Sequence, residues 1–165
     1  MKETTAESLS FGPFQKIGKG WMLVSAGTPS KCSAMTASWG GLGVMWGKNV
    51  AAIVIRPQRH TLQFLETEGR YTLSFFDEKY RAALNYCGSH SGGENQKIAA
   101  AGLTLLPQQP LPVYREASLT LVCKKLYRQP MDPKGLLDPA LDTRWYPGKD
   151  YHILFVGEIE KVLQP

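Results

Sequence analysis

The sequence predicts a mainly β protein, an antiparallel barrel with short helices inserted between its strands. The 165-residue chain contains 16 glycines and 11 prolines, and so many chain-turning residues favour many short strands over a few long helices. Its apolar runs are short, and they lack the regular strand–helix alternation of a dinucleotide-binding fold. Closure into a barrel removes the exposed strand edges that such a set of strands would otherwise leave.

Four strands are predicted in the first third of the chain, at residues 21–26, 35–39, 42–46 and 50–56. The first two flank a hairpin turn at residues 28–31, in which Pro29 fixes φ. Gly40 and Gly41 interrupt the regular pattern before the third strand, and glycines inside strands mark bulges or close backbone approaches. The fourth strand is β-branched and apolar, which indicates a buried strand, and Pro57 ends it.

The rest of the chain is predicted to alternate short helices with three strands, at residues 70–76, 116–127 and 151–162, the last interrupted at Gly157. Thr61 is predicted to cap a helix that closes at Gly69, and Asp77 to cap a short helix reaching residue 84. A polar loop at 88–93 leads into a helix at 94–101. Residues 130–146 have few periodic apolar positions and are predicted to form a long excursion that can serve as a flap.

Composition narrows the possible functions. We expect one domain over residues 1–165, and the net charge of +5 comes from scattered basic residues, without the clustered stripe of a nucleic-acid-binding protein. A modest positive field does suit phosphate-bearing cofactors.

No apolar run is long enough to cross a membrane, and the start of the chain has no apolar leader segment. Three widely spaced cysteines are a poor disulfide framework, so we expect a cytoplasmic location. No metal site is expected, because the histidines and cysteines are far apart.

The first segment with candidate chemistry is residues 35–41, Met-Thr-Ala-Ser-Trp-Gly-Gly. Small residues beside two glycines allow a flat ligand to approach the backbone closely, so that N–H groups can meet its polar edge. Trp39 or Trp46 can pack against an aromatic ring system. The alternative, which the residues alone favour, is a bulged strand with a core tryptophan.

Two further segments are candidate phosphate sites. Arg56 and Arg59 flank a turn that leads into the predicted helix at Thr61, and arginine offers paired donors to phosphate. Residues 89–97 form a Ser/Gly-rich loop that enters a helix carrying Lys97, although the spacing is not that of a P-loop. The alternatives are a solvated turn capped by Thr61 and an ordinary exposed loop.

His152 is the candidate catalytic residue. It begins a strand after a long loop, where its ring can face a pocket and act as a proton donor or as a neighbour of a hydride-transfer site. The alternative is a structural histidine that is hydrogen-bonded to a backbone carbonyl.

In this order the segments resemble the flavin reductase-like, FMN-binding split-barrel family over residues 21–162. Six stretches carry the resemblance: MTASWGGLGVMW (35–46), RPQRHT (56–61), YTLSFF (71–76), ALNYCGSHSG (83–92), EASLTLVCKKLY (116–127) and DYHILFVGEI (150–159). The resemblance implies an antiparallel Greek-key split β-barrel that forms a homodimer with one FMN per subunit near the interface.

The resemblance also implies roles for individual residues. Those that line the flavin ring would be Thr36, Ala37, Ser38 and Trp39, mainly through their backbone N–H groups. Those at the phosphate end would be Arg56, Arg59, Thr61, Ser89, Ser91 and Lys97. His152 would lie near the flavin face where NAD(P)H or another donor docks.

The sequence departs from the family pattern in two places. Ser33 replaces an asparagine common in the family, and SGGENQK (91–97) replaces S-G-R-D-x-D-K, so that Gly93 removes an arginine and Gln96 a carboxylate. Three functions remain open. They are an NAD(P)H-dependent flavin reductase-like oxidoreductase, a flavoredoxin-type electron-transfer protein that takes electrons from a protein donor, and a split-barrel binding protein without flavin.

Overall fold

The computed structural model describes residues 1–92 and 94–165. Its strands are β1 Lys2–Thr4, β2 Met22–Thr28, β3 Lys31–Ala37, β4 Gly40–Met45, β5 Lys48–Ile55, β6 Arg70–Phe75, β7 Leu119–Pro130 and β8 Ile153–Gln164. Its α-helices are α1 Thr61–Thr67, α2 Arg81–Ser89, α3 Glu94–Ala100 and α4 Pro139–Trp145. Single helical turns lie at Ala6–Ser8, Phe14–Lys19, Glu78–Tyr80 and Pro133–Gly135.

The strands form one antiparallel sheet in the order β3-β2-β6-β7-β8-β5-β4, with β1 also paired to β8. The ends of this path are β3 and β4, which follow each other in the sequence but are not paired. The sheet therefore curls into a barrel that is split between them, as the sequence predicted. Its interior holds the largest buried apolar cluster, to which Val24, Ile53, Leu73, Leu121 and Phe155 belong.

Two strands continue through positions where the sequence suggested a break. Gly40 and Gly41 lie within β4 and pair with β5. Gly157 lies within β8, opposite a register shift in β7 between Lys125 and Tyr127. A β-carbon at Gly157 would lie 2.5 Å from the Tyr71 hydroxyl, so this glycine makes room for a buried tyrosine inside the barrel. The glycine therefore marks a close approach, not the end of a strand.

Three helix predictions need correction. Thr61 is the first residue of α1 and its side chain does not cap that helix. The helix predicted to end at residue 84 continues as α2 to Ser89, since Leu84 and Cys87 bury its apolar side. The excursion at 130–146 contains α4, which is capped by the Asp138 carboxylate through the Ala140 N–H. Its helical character was missed because its few apolar positions leave no buried residue on α4.

Helices α2 and α3 cover the outer edge of β3. Asn95 Oδ1 accepts a hydrogen bond from the Cys32 N–H, and Lys97 Nζ donates to the Ala34 carbonyl at 2.6 Å. Further along the strand, Thr36 donates its hydroxyl to the Leu84 carbonyl. The side chains of the helices thus take the place of a neighbouring strand for the first part of β3. Beyond Thr36 the chain turns toward a cavity.

In the part of the chain that the structure describes, no helix is both long enough and apolar enough to cross a membrane.

Candidate functional site

A cavity of about 350 Å³ opens where the C-terminal part of β3 meets β5, the start of β8 and the end of α4. This volume lies in the range of small-molecule sites. The residues that line it are Met35, Thr36, Ala37, Ser38, Trp39, Val54, Arg56, Arg59, Trp145 and His152. Three separate parts of the chain, residues 35–39, 54–59 and 145–152, therefore meet in one site.

Aromatic rings form one wall of this cavity. Trp39 and Trp145 pack edge to face with ring centroids 4.8 Å apart, and the His152 ring lies 5.1 Å from Trp39. Both tryptophans are partly exposed. Together with the small side chains of Ala37 and Ser38 in the same lining, they form a slot that suits a flat ligand.

His152 is buried at the inner end of this wall. The Tyr146 hydroxyl lies 2.9 Å from His152 Nδ1, and both side chains are less than 10% exposed. Burial, assisted by the nearby Arg56 cation, lowers the pKa of His152 to about 4. The imidazole is therefore neutral at pH 7, so it can offer one donor and one acceptor but no positive charge.

Arg56 lines the cavity but is already paired. One terminal nitrogen contacts the Asp150 carboxylate, and the other donates to the Trp145 carbonyl at 2.7 Å. Gln58 also donates to Asp150, and hydrogen bonds from Arg56 and Gln58 lower the pKa of that carboxyl. Arg56 therefore fastens the end of α4 to β5, and Asp150 neutralises its charge.

Arg59 is the cation on the side of the cavity next to α2. It donates to the Gly88 carbonyl at 2.8 Å, and no carboxylate among the described side chains pairs with it. Burial lowers its pKa, but an arginine remains charged at neutral pH. Lys97 is close enough to interact electrostatically with Arg59, and burial is the main reason why the Lys97 pKa is lowered. Two adjacent cations without a described acidic partner favour an anion on this side.

Seven of the eleven residues predicted for the site line this cavity: Thr36, Ala37, Ser38, Trp39, Arg56, Arg59 and His152. Lys97 lies behind β3 and donates to the Ala34 and His90 carbonyls. Its ammonium group adds positive charge near Arg59 without lining the cavity itself.

Thr61 and the two predicted serines do not line the cavity. Thr61 is buried, and its hydroxyl bonds at 2.9 Å to Ser33, the residue that replaces the family's asparagine. Ser89 ends α2 and donates to the Asn85 carbonyl, while Ser91 is exposed just after that helix. Gly93, the other departure noted in the sequence, lies outside the described residues.

The lining residues that were not predicted are Met35, Val54 and Trp145, and Tyr146, which contacts His152, was also not predicted. Trp145 and Tyr146 are adjacent in the chain. Both belong to the excursion at 130–146, whose length suggested a flap. An aromatic pair at the end of an otherwise polar, Pro/Gly-rich segment was the available signal, since an exposed loop rarely needs two adjacent large rings.

The site has few groups for chemistry of its own. Among residues 1–92 and 94–165, no three His, Cys, Asp or Glu side chains group together in a way that could hold a metal ion. The described residues that line the cavity include two arginines, two tryptophans and a neutral histidine. Such a lining can bind and orient a flat, anionic ligand.

Comparison with known proteins agrees with this geometry. A family model described as a flavin reductase-like domain matches residues 14–165. The chain belongs to the flavin reductase-like family. No curated protein sequence matches it significantly.

Solved structures of flavin reductase-like proteins share the fold. An FMN-binding protein from Thermus thermophilus, solved with bound cyclohexenone, is 20% identical with a TM-score of 0.67, covering 99% of this chain and 80% of its own. Flavoredoxin from Desulfovibrio vulgaris is 21% identical with a TM-score of 0.66, covering 100% and 77%. An NADH:FAD oxidoreductase from Streptomyces globisporus is 18% identical with a TM-score of 0.64, covering 88% and 75%.

Proposed function

We propose that this flavin reductase-like protein binds FMN in the cavity described above and passes electrons from NAD(P)H through it to an acceptor. The observation that carries the proposal is the polarity of the cavity. Arg59, which bonds to the Gly88 carbonyl of α2, is a cation without a described carboxylate partner, and the aromatic slot beside α4 contains a neutral histidine. FMN has the matching polarity, since a phosphate lies at one end and a flat ring system at the other.

The residues present fit this cofactor. A guanidinium in a cavity lining donates paired hydrogen bonds to phosphate. Residues 38 and 39 lie between β3 and β4, outside the sheet ladder, so their backbone groups can meet the polar edge of a ring. The side chains of Trp39 and Trp145 supply aromatic surface beside it.

In this proposal each residue has a binding or orienting task. Arg59 holds the phosphate, and Lys97 strengthens the positive potential from behind β3. Arg56 keeps the end of α4 in place through Trp145, so that the aromatic slot stays closed on that side. His152 presents a neutral ring to the reactants. When bound, FMN would supply the redox chemistry by taking up electrons from one reactant and giving them to another.

The proposed reductase and the alternative, a flavoredoxin-type electron-transfer protein, differ in their electron donor. Proteins with this fold include an NADH:FAD oxidoreductase and flavoredoxins, so the fold alone does not choose between NAD(P)H and a protein donor. We favour NAD(P)H because Trp39 and His152 both line the cavity with aromatic surface, against which a flat nicotinamide ring can pack.

We also propose that the protein works as a homodimer in the cytoplasm. The supporting observation is a set of exposed apolar side chains on or near the end strand β4, here called the β4 face and made of Phe14, Val44, Met45 and Trp46. These side chains are 89%, 74%, 44% and 59% exposed, and β4 is an end strand of the sheet. Apolar edges of this kind favour association, and a second copy would cover them. Three cysteines without paired spacing suit a reducing compartment.

An anaerobic spectrum tests the donor. FMN-loaded protein is mixed with NADH or NADPH, and the flavin absorbance is followed with time. The proposal predicts bleaching within seconds with at least one nucleotide. A flavin band that persists with both nucleotides but bleaches with a reduced protein donor such as a ferredoxin would support the electron-transfer alternative. A protein that binds no FMN at all would contradict both.

A further inference from the structure

The excursion at 130–146 ends in a tyrosine that reaches back to the site. Tyr146 is 4% exposed and follows α4 directly, and its hydroxyl lies 2.9 Å from His152 Nδ1. We infer that Tyr146 is a positioning residue that holds His152 in the tautomer with its proton on Nε2, so that the ring offers a hydrogen-bond donor to the cavity.

The direction of this hydrogen bond follows from the partners of the tyrosine. The hydroxyl has one proton and two nearby acceptors, His152 Nδ1 at 2.9 Å and Met131 Sδ at 3.6 Å. A thioether sulfur accepts hydrogen bonds only weakly, whereas an imidazole nitrogen is a strong acceptor. The proton therefore goes to Nδ1, which leaves the ring's own proton on Nε2.

The Nε2 atom remains available to a ligand. It makes no hydrogen bond to any described residue, and it is not among the buried polar atoms that lack a partner. Since His152 lines the cavity, the accessible side of the ring faces that space. Nδ1 is occupied by Tyr146, so Nε2 is the only ring nitrogen that a ligand can reach.

The charged and titratable groups around the ring keep it neutral. Arg56 on β5 disfavours the imidazolium, while Asp150, just before β8, opposes this effect and is itself engaged by Arg56 and Gln58. The Arg56 guanidinium also lies 5.4 Å from the centroid of the Tyr146 ring. A neutral ring with a fixed tautomer is a directional donor, whereas an imidazolium would donate from both nitrogens.

The ligand chemistry follows from this donor and rests on the proposed function. An Nε2–H group beside Trp39 suits a carbonyl oxygen on a flat reactant. The carboxamide of a nicotinamide and the carbonyl of an electron acceptor both provide such an oxygen. Fixing the tautomer means that the donor is present before the ligand arrives, so no rearrangement is needed on binding.

Nitrogen-15 NMR of the histidine rings tests the tautomer without any cofactor. The chain has three histidines, so His152→Gln identifies the signals of that ring. We expect Nε2 of wild-type His152 to be protonated and Nδ1 unprotonated at pH 7. A protonated Nδ1 would overturn the inference, and this measurement needs no tyrosine variant.

Two tyrosine variants then test whether the Tyr146 hydroxyl fixes the tautomer of His152. Tyr146→Phe removes the hydroxyl and keeps the ring that packs against Tyr151, so we expect a mixture of the two neutral tautomers of His152. Tyr151→Phe is the matched control, because its hydroxyl donates to Asp142 at 2.7 Å and not to the histidine. Identical histidine spectra in wild type and Tyr146→Phe would overturn the role of Tyr146.

A kinetic experiment tests whether the reaction uses the His152 Nε2–H group as a hydrogen-bond donor. In the FMN-loaded protein we expect Tyr146→Phe to slow reduction by the active nucleotide about tenfold, with the affinity for FMN within twofold of wild type and Tyr151→Phe unaffected. Unchanged reduction rates in Tyr146→Phe would overturn the link to the reaction. If neither nucleotide reduces even the wild-type flavin, the proposed function fails, while the NMR result still decides the tautomer.

Discussion

Arg56 and Arg59 lie in one turn of the chain, yet they have different electrostatic roles. Arg56 is neutralised by Asp150 and also holds the Trp145 carbonyl, whereas Arg59 has no carboxylate partner among the described side chains. The sequence identified both as phosphate ligands because it shows residue types and local spacing. It could not show that the Asp150 carboxylate, 94 positions from Arg56 in the sequence, pairs with the Arg56 guanidinium. Pairing over such distances depends on the fold.

His152 makes stability depend on pH. Its pKa is lowered from 6.5 to about 4 in the folded protein, so between these values the unfolded chain binds a proton that the folded protein does not. The stability that the neutral His152 contributes is therefore fully present above pH 6.5 and is lost as the pH falls toward 4. We expect this group alone to remove about 2 kcal/mol of unfolding free energy between pH 7 and pH 5.

Urea denaturation at the two pH values checks this expectation, with His152→Gln as the reference. The variant has no ionisable group at this position, so its loss of stability between pH 7 and pH 5 should be smaller by about 2 kcal/mol. An equal loss in both proteins would contradict the assignment of a neutral, buried His152.

At the scale of single elements, the strands were predictable and the docking of α4 was not. Strands such as β5 and β6 follow from local alternation and from β-branched or aromatic residues. Helix α4 buries no side chain of its own, and it is held through the Arg56–Trp145 bond and the Trp39–Trp145 pair. Both contacts join segments distant in the sequence, so local periodicity gives no sign of them.

The glycine in β8 provides a direct test of the barrel interior. A β-carbon at Gly157 would meet the Tyr71 hydroxyl at 2.5 Å and the Cys123 β-carbon at 3.1 Å. We expect Gly157→Ala to lower the free energy of unfolding by about 1–3 kcal/mol, because the buried tyrosine must shift. Gly69→Ala, where nothing lies within 4 Å, should change it by less than about 0.5 kcal/mol in the same urea titration. Equal stabilities of the two variants would contradict the predicted close approach.

Helix α4 contributes to the site through its last residue. Trp145→Ala removes the edge-to-face partner of Trp39, and such pairs contribute about 0.5–1.5 kcal/mol beyond the area they bury. We therefore expect lower stability and a several-fold weaker affinity for FMN, measured by flavin fluorescence titration. Leu141→Ala changes an exposed residue of the same helix and should leave the affinity unchanged. A Trp145→Ala variant with wild-type affinity would show that α4 does not bound the binding site.

At the scale of the whole molecule, the order of six sequence stretches was enough to predict the split barrel and its family. It does not show which surfaces two copies of the chain would use to associate. The β4–β5 hairpin turns at Trp46 and Gly47, both with positive φ, as a two-residue turn of the primed type requires. This turn presents Trp46 to solvent on the β4 face. The proposed association rests on this exposed tryptophan together with Val44 and Met45 at an end strand of the sheet.

Dimerisation through the β4 face is tested by Trp46→Asp. Aspartate tolerates the left-handed conformation, so the change adds charge without much backbone strain. We expect the variant to be a monomer by light scattering at concentrations where the wild type is a dimer. Leu137→Asp is the control, because Leu137 is 95% exposed and lies in the excursion, outside the β4 face. A Trp46→Asp dimer, or a monomeric wild type, would contradict this arrangement.

We propose that the cavity binds FMN with the phosphate at Arg59. The most direct test compares FMN with riboflavin, which has the same ring system and no phosphate, by fluorescence titration of wild type and Arg59→Gln. We predict that wild type binds FMN at least about tenfold more tightly than riboflavin, and that Arg59→Gln removes most of this difference while its riboflavin affinity is unchanged. Arg115→Gln makes the same change of charge at an exposed position outside the cavity and should keep the wild-type preference. Equal affinities for the two flavins in wild type, or a preference for FMN that survives in Arg59→Gln, would contradict the binding of the FMN phosphate by Arg59.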